Sequence, residues 1–159
     1  MPRMLEYGFA QGRFGRLLVA CDTVGVCFAG YCDEEAAALA DLRRRFADAE
    51  LRPSKAFAGF DGGRATFHLI GTPFRLAVWR ALREIPAGER IGYAALAARM
   101  GRPAAVRAVA SAVARNPVAF YVPCHRVVRS DGNTGQYRWG AARKRRMLDA
   151  ECREAISSR

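Results

Sequence analysis

The chain is predicted to adopt a mixed α/β (α+β) fold, a small N-terminal β-sheet domain with one helix followed by a mostly helical C-terminal domain. Three observations predict it. Short alternating apolar segments dominate the first thirty or so residues, helical spacing takes over after Gly71, and the balance of charge changes at nearly the same place. A length of 159 residues fits one domain, or two small ones sharing a core. With 51% hydrophobic and 26% charged residues, the composition excludes a disordered polymer. No apolar run reaches the roughly 18 residues that a spanning helix needs, so no membrane partner is expected. Met1-Pro2-Arg3-Met4-Leu5-Glu6 lacks the apolar core of a secretory signal. Five cysteines without scaffold-like spacing point to free thiols in a reducing, cytoplasmic setting.

The elements follow in order. Leu5, Tyr7 and Phe9 alternate as in a strand. Arg16–Ala20 and Val24–Phe28 form two more short strands, with Asp22-Thr23 between them. Asp33-Glu34-Glu35 opens a helix whose Leu39, Leu42 and Phe46 fall on one face. Leu51 to Gly63, broken by Pro53, Gly59 and Gly62-Gly63, is expected to be an irregular linker, with Phe67–Ile70 as a further strand. The domain boundary is placed between residues 70 and 71. Thr72-Pro73 then supplies an N-cap and a first-turn proline for a helix bearing Phe74, Val78 and Leu82. Tyr93–Met100 and Ala104–Arg115 are two short helices, the first stopped by Gly101-Arg102-Pro103 and the second by Asn116-Pro117. Joined by a glycine-containing turn, they make a helix-turn-helix candidate. A last helix spans about Ala141 to Ala155.

Residues 1–74 carry nine bases and nine acids, whereas residues 75–159 carry seventeen bases and six acids. The whole formal excess of +11 therefore lies in the second half. A one-sided basic field suits a polyanion such as nucleic acid, although a solvated basic surface would read the same way. The helix from Ala104 to Ala114 is nearly all Ala and Val, with Arg107 and Ser111 as its only polar side chains. That leaves too few groups to read base edges but a thin surface able to approach a groove closely. A core helix with Arg107 snorkelling to solvent is the plainer alternative.

Pro123-Cys124-His125-Arg126 is the most chemically informative stretch. A cysteine becomes nucleophilic when its thiolate is stabilised by a neighbouring base or cation. In a strand, Cys124 and His125 would point to opposite sides, so cooperation requires a turn or a bridging water. An inert core thiol is the alternative. Glu151 falls with Met147 and Leu148 on the apolar face of the last helix, rather than with Arg143, Arg145 and Arg146. A carboxylate there needs a partner, and His125 is a natural one. Glu151, His125 and Cys124 would then form an acid–base–nucleophile relay; a rotated helix would leave Glu151 in solvent instead.

Pro-Cys-His-Arg-Val-Val at 123–128, with Arg107-Ala-Val-Ala-Ser before it, Asn116-Pro, and Gly135-Gln-Tyr-Arg-Trp-Gly after it, resembles the O6-alkylguanine-DNA alkyltransferases. The similarity is greatest to the C-terminal domain of the bacterial Ada type and runs from about Thr72 to Glu151. The resemblance implies a winged helix-turn-helix-like DNA-binding motif within residues 71–159, and an N-terminal domain over residues 1–70 that is shortened relative to the family. It implies stoichiometric, irreversible transfer of an alkyl group from guanine O6 in double-stranded DNA to the protein's own cysteine, with O4-methylthymine as a further substrate of the same chemistry. By the same resemblance Cys124 is the acceptor, His125 removes its proton through a water, and Glu151 orients His125. Tyr93 is the phenol that hydrogen-bonds or protonates the guanine. Asn116 is the hinge side chain between the recognition helix and the cysteine loop. Arg107 is the finger that fills the stack vacated by a flipped base. Arg102, Ser130 and Ala94 match DNA-contacting positions, with a polar contact missing at Ala94, and Ser111 and Tyr93 share that surface. Backbone near Val127 and Arg138, beside Tyr137, holds the guanine. No metal and no cofactor are implied, and the protein is expected to act as a monomer. Cys21, Cys27 and Cys32 with His68 are read as small core thiols rather than a zinc site.

Two other classes compete. One is a binding module that recognises alkylated guanine without transfer, which Cys124 argues against. The other is a Cys-His hydrolase, which would leave the basic half unexplained.

Overall fold

The computed structural model describes residues 1–158, and these divide into two compact units. The first comprises residues 1–70 together with 117–119, and the second residues 71–116 with 120 onward. The 70/71 boundary thus separates them, except that Pro117–Ala119 belong to the first.

The first unit is a four-stranded sheet in the order β3-β2-β1-β4. β1 (Arg3–Gly12) and β2 (Gly15–Cys21) form an antiparallel hairpin whose turn ends on Gly15 at φ 140°, a conformation that only glycine adopts without strain. β3 (Val26–Tyr31) pairs antiparallel with β2, and the turn between them is closed by the Asp22 carboxylate accepting from the Val24 and Gly25 amides. α1 (Glu35–Arg45) begins on Glu34, whose carboxylate accepts from the Ala36 and Ala37 amides, and ends in three arginines that complement its dipole. Its Leu42 packs with Leu18, Ala20, Phe28 and Cys32 into the core of this unit.

Two expectations for this unit need correcting. The stretch from Leu51 is not linker throughout, because β4 (Ala49–Pro53) pairs parallel with β1. The α1 crossover delivers it there, and Leu51 packs against the core. Phe67–Ile70 is not a strand: it makes a single bridge, Val26 to Phe67, with the Val26 amide bonded to the Thr66 carbonyl. β3 finds its further pairing instead at Val118, where the Ala29 amide and carbonyl both bond the 117–119 backbone. Cys27 and Cys32 are buried and Cys21 half-buried.

The second unit is built from helices. α2 (Pro73–Arg83) starts where the Thr72 hydroxyl accepts from the Arg75 amide at 3.2 Å. It buries Val78, Trp79 and Leu82, and the Trp79 indole donates to the Ala112 carbonyl at 2.8 Å, tying α2 to α4. α3 (Tyr93–Arg99) and α4 (Val106–Ala114) pack on each other, and the two helices bury Leu96, Ala97, Val109, Ala112 and Val113. Gly101, at φ 71°, reverses the chain after α3. β5 (Ile91–Gly92) and β6 (Val127–Val128) form a short parallel pair, and α5 (Ala141–Ser157) closes the unit. No described helix is long and apolar enough to cross a membrane.

Candidate active site

Cys124 does not lie in a strand. Cys124–Arg126 form one turn of 3₁₀ helix between Pro123 and β6. Cys124 and His125 are both buried. The Cys124 sulfur lies at a cavity of about 330 Å³ lined also by Tyr93, Tyr137, Arg138, Trp139 and Lys144. That volume is at the small end of ligand sites.

His125 Nε2 stands 2.7 Å from Glu151 Oε1, with both side chains almost wholly out of solvent. The apolar-face placement of Glu151 in α5 thus produces the expected pairing. Arg126 extends it: Nε donates to Glu151 Oε2 at 3.1 Å, a second guanidinium nitrogen to Oε1 at 2.9 Å, and a third to the Ile85 carbonyl. Burial pushes the Glu151 carboxyl up, but hydrogen bonds from His125 and Arg126 outweigh it and hold its pKa at about 2. His125 Nδ1 is buried and has no hydrogen-bond partner in the protein. Phe120, the one non-glycine among the described residues at positive φ (69°), lies parallel to the imidazole at 6.2 Å.

Asn116 is buried at the end of α4, and its amide donates to the Val122 carbonyl at 2.8 Å, which links the helix end to the cysteine loop. Burial raises the Cys124 thiol above its ordinary pKa, while hydrogen bonds from Asn116 and Tyr137 and the charge of Lys144 pull it back. Burial, and then the charge of Cys124, also raise Tyr93, which therefore keeps its phenolic proton.

Cys124, Tyr93, Tyr137 and Arg138 line one cavity, Asn116 bonds the loop just before Cys124, and His125, next to Cys124 in the chain, pairs with Glu151. The fold leaves Arg107, Ser111, Ala94, Arg102 and Ser130 exposed outside the cavity, with the Arg102 guanidinium over the Phe74 ring. Three expectations change. Val127 is fully buried rather than open to the cavity, and its carbonyl accepts from Lys144 Nζ at 2.7 Å. Arg126 serves the carboxylate rather than the thiolate. Arg143 is not on the solvent side of α5 but is buried, bonding the Trp139 carbonyl. Sequence reasoning missed Lys144 altogether, although one signal marked it: 24 of the 26 bases are arginine, and Lys144 is one of the two exceptions.

Known proteins resemble this chain in sequence and fold. Residues 73–153 match the family described as 6-O-methylguanine DNA methyltransferase, DNA binding domain. The bifunctional transcriptional activator/DNA repair enzyme Ada of Escherichia coli is 39% identical over 92% of this chain and 45% of its own length. The inducible methylated-DNA–protein-cysteine methyltransferase of Bacillus subtilis is 49% identical over 52% of this chain and 46% of its own. This chain therefore spans about half the length of the curated relatives that it matches. Among solved structures, Mycobacterium tuberculosis OGT in complex with DNA superposes with a TM-score of 0.75 at 28% identity, covering 93% of each chain. The O6-methylguanine methyltransferase of the same organism superposes at 0.70 with 30% identity over 94% of each. By family match and by full-length structural likeness, this chain belongs to the 6-O-methylguanine DNA methyltransferase family.

Proposed function

We propose that this chain repairs alkylated DNA in the cytoplasm by taking the alkyl group of O6-alkylguanine onto Cys124, once and irreversibly. The observation that carries this reading is a cysteine at a cavity of about 330 Å³, followed in the chain by a buried imidazole held to a buried carboxylate at 2.7 Å.

The Cys124 proton passes through a bridging water to His125 Nδ1, the imidazole nitrogen left open by the Glu151 bond. Glu151, kept ionised by Arg126, stabilises the imidazolium. The sulfur attacks the alkyl carbon opposite the departing O6. A sulfur–carbon bond forms as the carbon–oxygen bond breaks, and its electron pair stays on the guanine. Tyr93 protonates the purine ring and recovers its proton from His125, so the thiol proton ends on guanine and Cys124 becomes a thioether. The thioether has no route back, which makes the protein a single-use reagent.

A thiol this deep cannot reach an atom inside a stacked duplex, so the target nucleotide is extruded into the cavity. The exposed α4 face, small apart from Arg107 and Ser111, enters the minor groove, and Arg107 takes the vacated place in the stack. Arg102 and Ser130, with the chain at Ala94, contact the DNA around it. The seventeen bases of residues 75–159 supply the attraction to phosphate.

The test is to incubate the protein with duplex DNA carrying O6-methylguanine and weigh the intact chain and the Cys124 peptide. One methyl group per molecule, with no further turnover, is expected. Methylated DNA bound tightly but left unaltered would identify a recognition module instead. Arg107→Ala is expected to slow reaction with duplex far more than reaction with the free alkylated base, and equal losses would remove the flipping role.

A further inference from the structure

Lys144 is one of only two lysines among 26 basic residues, and it is the buried one, 1% exposed, whereas Lys55 lies at the surface. Its Nζ donates to the Val127 carbonyl at 2.7 Å and reaches the Gln136 carbonyl at 3.5 Å. These are neutral acceptors. Among the described residues it pairs with no carboxylate: Glu151, two turns further along α5, is taken by His125 and Arg126. An ammonium withdrawn from water without a counter-ion is costly, and proteins seldom retain one.

The group that answers to this cation when it ionises is on the same cavity wall. Cys124 and Lys144 line one pocket, and the charge of each acts on the other. The remaining ionisable groups facing that pocket are Tyr93 from α3 and Tyr137 and Arg138 from the loop before α5. His125, next in the chain to Cys124, is held by Glu151, which Arg126 also bonds. Neither arginine neighbour in α5 substitutes for Lys144, since Arg143 bonds the Trp139 carbonyl and Arg145 is exposed. A guanidinium would keep its proton at any relevant pH, whereas a lysine in this position can release it. Burial lowers Lys144 to about 8, with the Cys124 charge opposing that fall.

We propose that Lys144 is the counter-ion of the Cys124 thiolate, a positioning residue whose charge favours loss of the thiol proton and which sheds its own proton to solvent once alkylation leaves the sulfur unable to ionise. The proposal rests on the alkyl-transfer reading for the natural alkyl donor, but the pairing itself concerns only sulfur and nitrogen. After alkylation the thioether carries no charge, the buried ammonium has nothing to oppose, and its proton leaves.

The two-lysine composition makes the test direct. The 159-residue chain labelled with ¹³C at lysine Cε has two signals to follow, with Lys55 as an internal reference. Their pH titrations are recorded before and after carbamidomethylation with iodoacetamide, and modification of Cys124 is confirmed by peptide mass. The Lys144 midpoint is expected to fall by about one unit or more on alkylation, with Lys55 unmoved, and Cys124→Ser is expected to show the lowered midpoint without reagent. A Lys144 midpoint indifferent to alkylation overturns the proposal. In a second arm, Lys144→Gln, whose amide can still donate to Val127, is expected to slow iodoacetamide capture of Cys124 at neutral pH by about tenfold and shift its pH profile upward. An unchanged profile also overturns the proposal, and if the variant fails to fold the titration decides alone. Because neither arm uses DNA, a positive result with no methyl uptake from O6-methylguanine would spare the ion pair and reject the repair reading. Methyl uptake with no lysine response would do the reverse.

Discussion

Each unit of the molecule contains a histidine held 2.7 Å from a carboxylate, with an arginine on the same carboxylate and a cysteine next in sequence to one partner. In the first unit the set is His68, Asp22, Arg3 and Cys21; in the second it is His125, Glu151, Arg126 and Cys124. The distances match, but the surroundings differ. The His68 side chain is 35% exposed and that of His125 is 0% exposed. Asp22 also closes a β-turn, so its oxygens serve the backbone. Its negative charge, after burial, helps push the nearby Cys27 thiol up to about 12. Cys124 instead opens on a cavity and faces Lys144, whose charge opposes the effect of burial. A histidine–carboxylate contact is therefore no mark of chemistry by itself. On the proposed function, burial and the sign of the charge beside the sulfur would separate the structural pair from the reactive one.

The largest contrast should come from removing each carboxylate. Glu151→Gln is expected to slow methyl transfer from O6-methylguanine duplex by about 100-fold or more in single-turnover assays, and Asp22→Asn to change it by less than about twofold. Similar losses in both variants would erase the distinction. Acid stability should sharpen it next. Glu151 sits at about 2 against an ordinary 4.5, so its stabilisation, about 3 kcal/mol, is complete above pH 4.5 and lost as pH falls towards 2. Urea unfolding at a series of acid pH values should show that limb flattened in Glu151→Gln. Asp22 is also lowered, because turn amides and His68 outweigh burial, so Asp22→Asn should flatten it in the same direction. The smallest effect is expected from His68→Ala, no more than about 1 kcal/mol in unfolding free energy, since the exposed imidazole makes its pair screened. A loss of several kcal/mol there would mean that the first pair carries structure the comparison denies it.

Much of this was legible in the chain. The strand hairpins, the capped start at Thr72-Pro73 and the two short helices are local, written in turn residues, caps and periodicity. Glu151 was legible because a carboxylate among Met147 and Leu148 demands a partner, and only two histidines exist to supply one. β4 and the pairing of β3 with Val118 were not legible, because Ala49–Pro53 and Pro117–Ala119 have no strand pattern of their own. They are strand-like only because an edge of the sheet is available to bond them.

The sequence by itself determined which atoms could react: a Pro-Cys-His-Arg turn, a misplaced acid, a basic half and a helix too smooth to read bases. Tertiary structure alone decided how their charges are shared. It gave Arg126 to the carboxylate and Lys144 to the cavity of the sulfur. Residue type and spacing set what a group can do, whereas the field it feels depends on burial and on neighbours brought from distant parts of the chain.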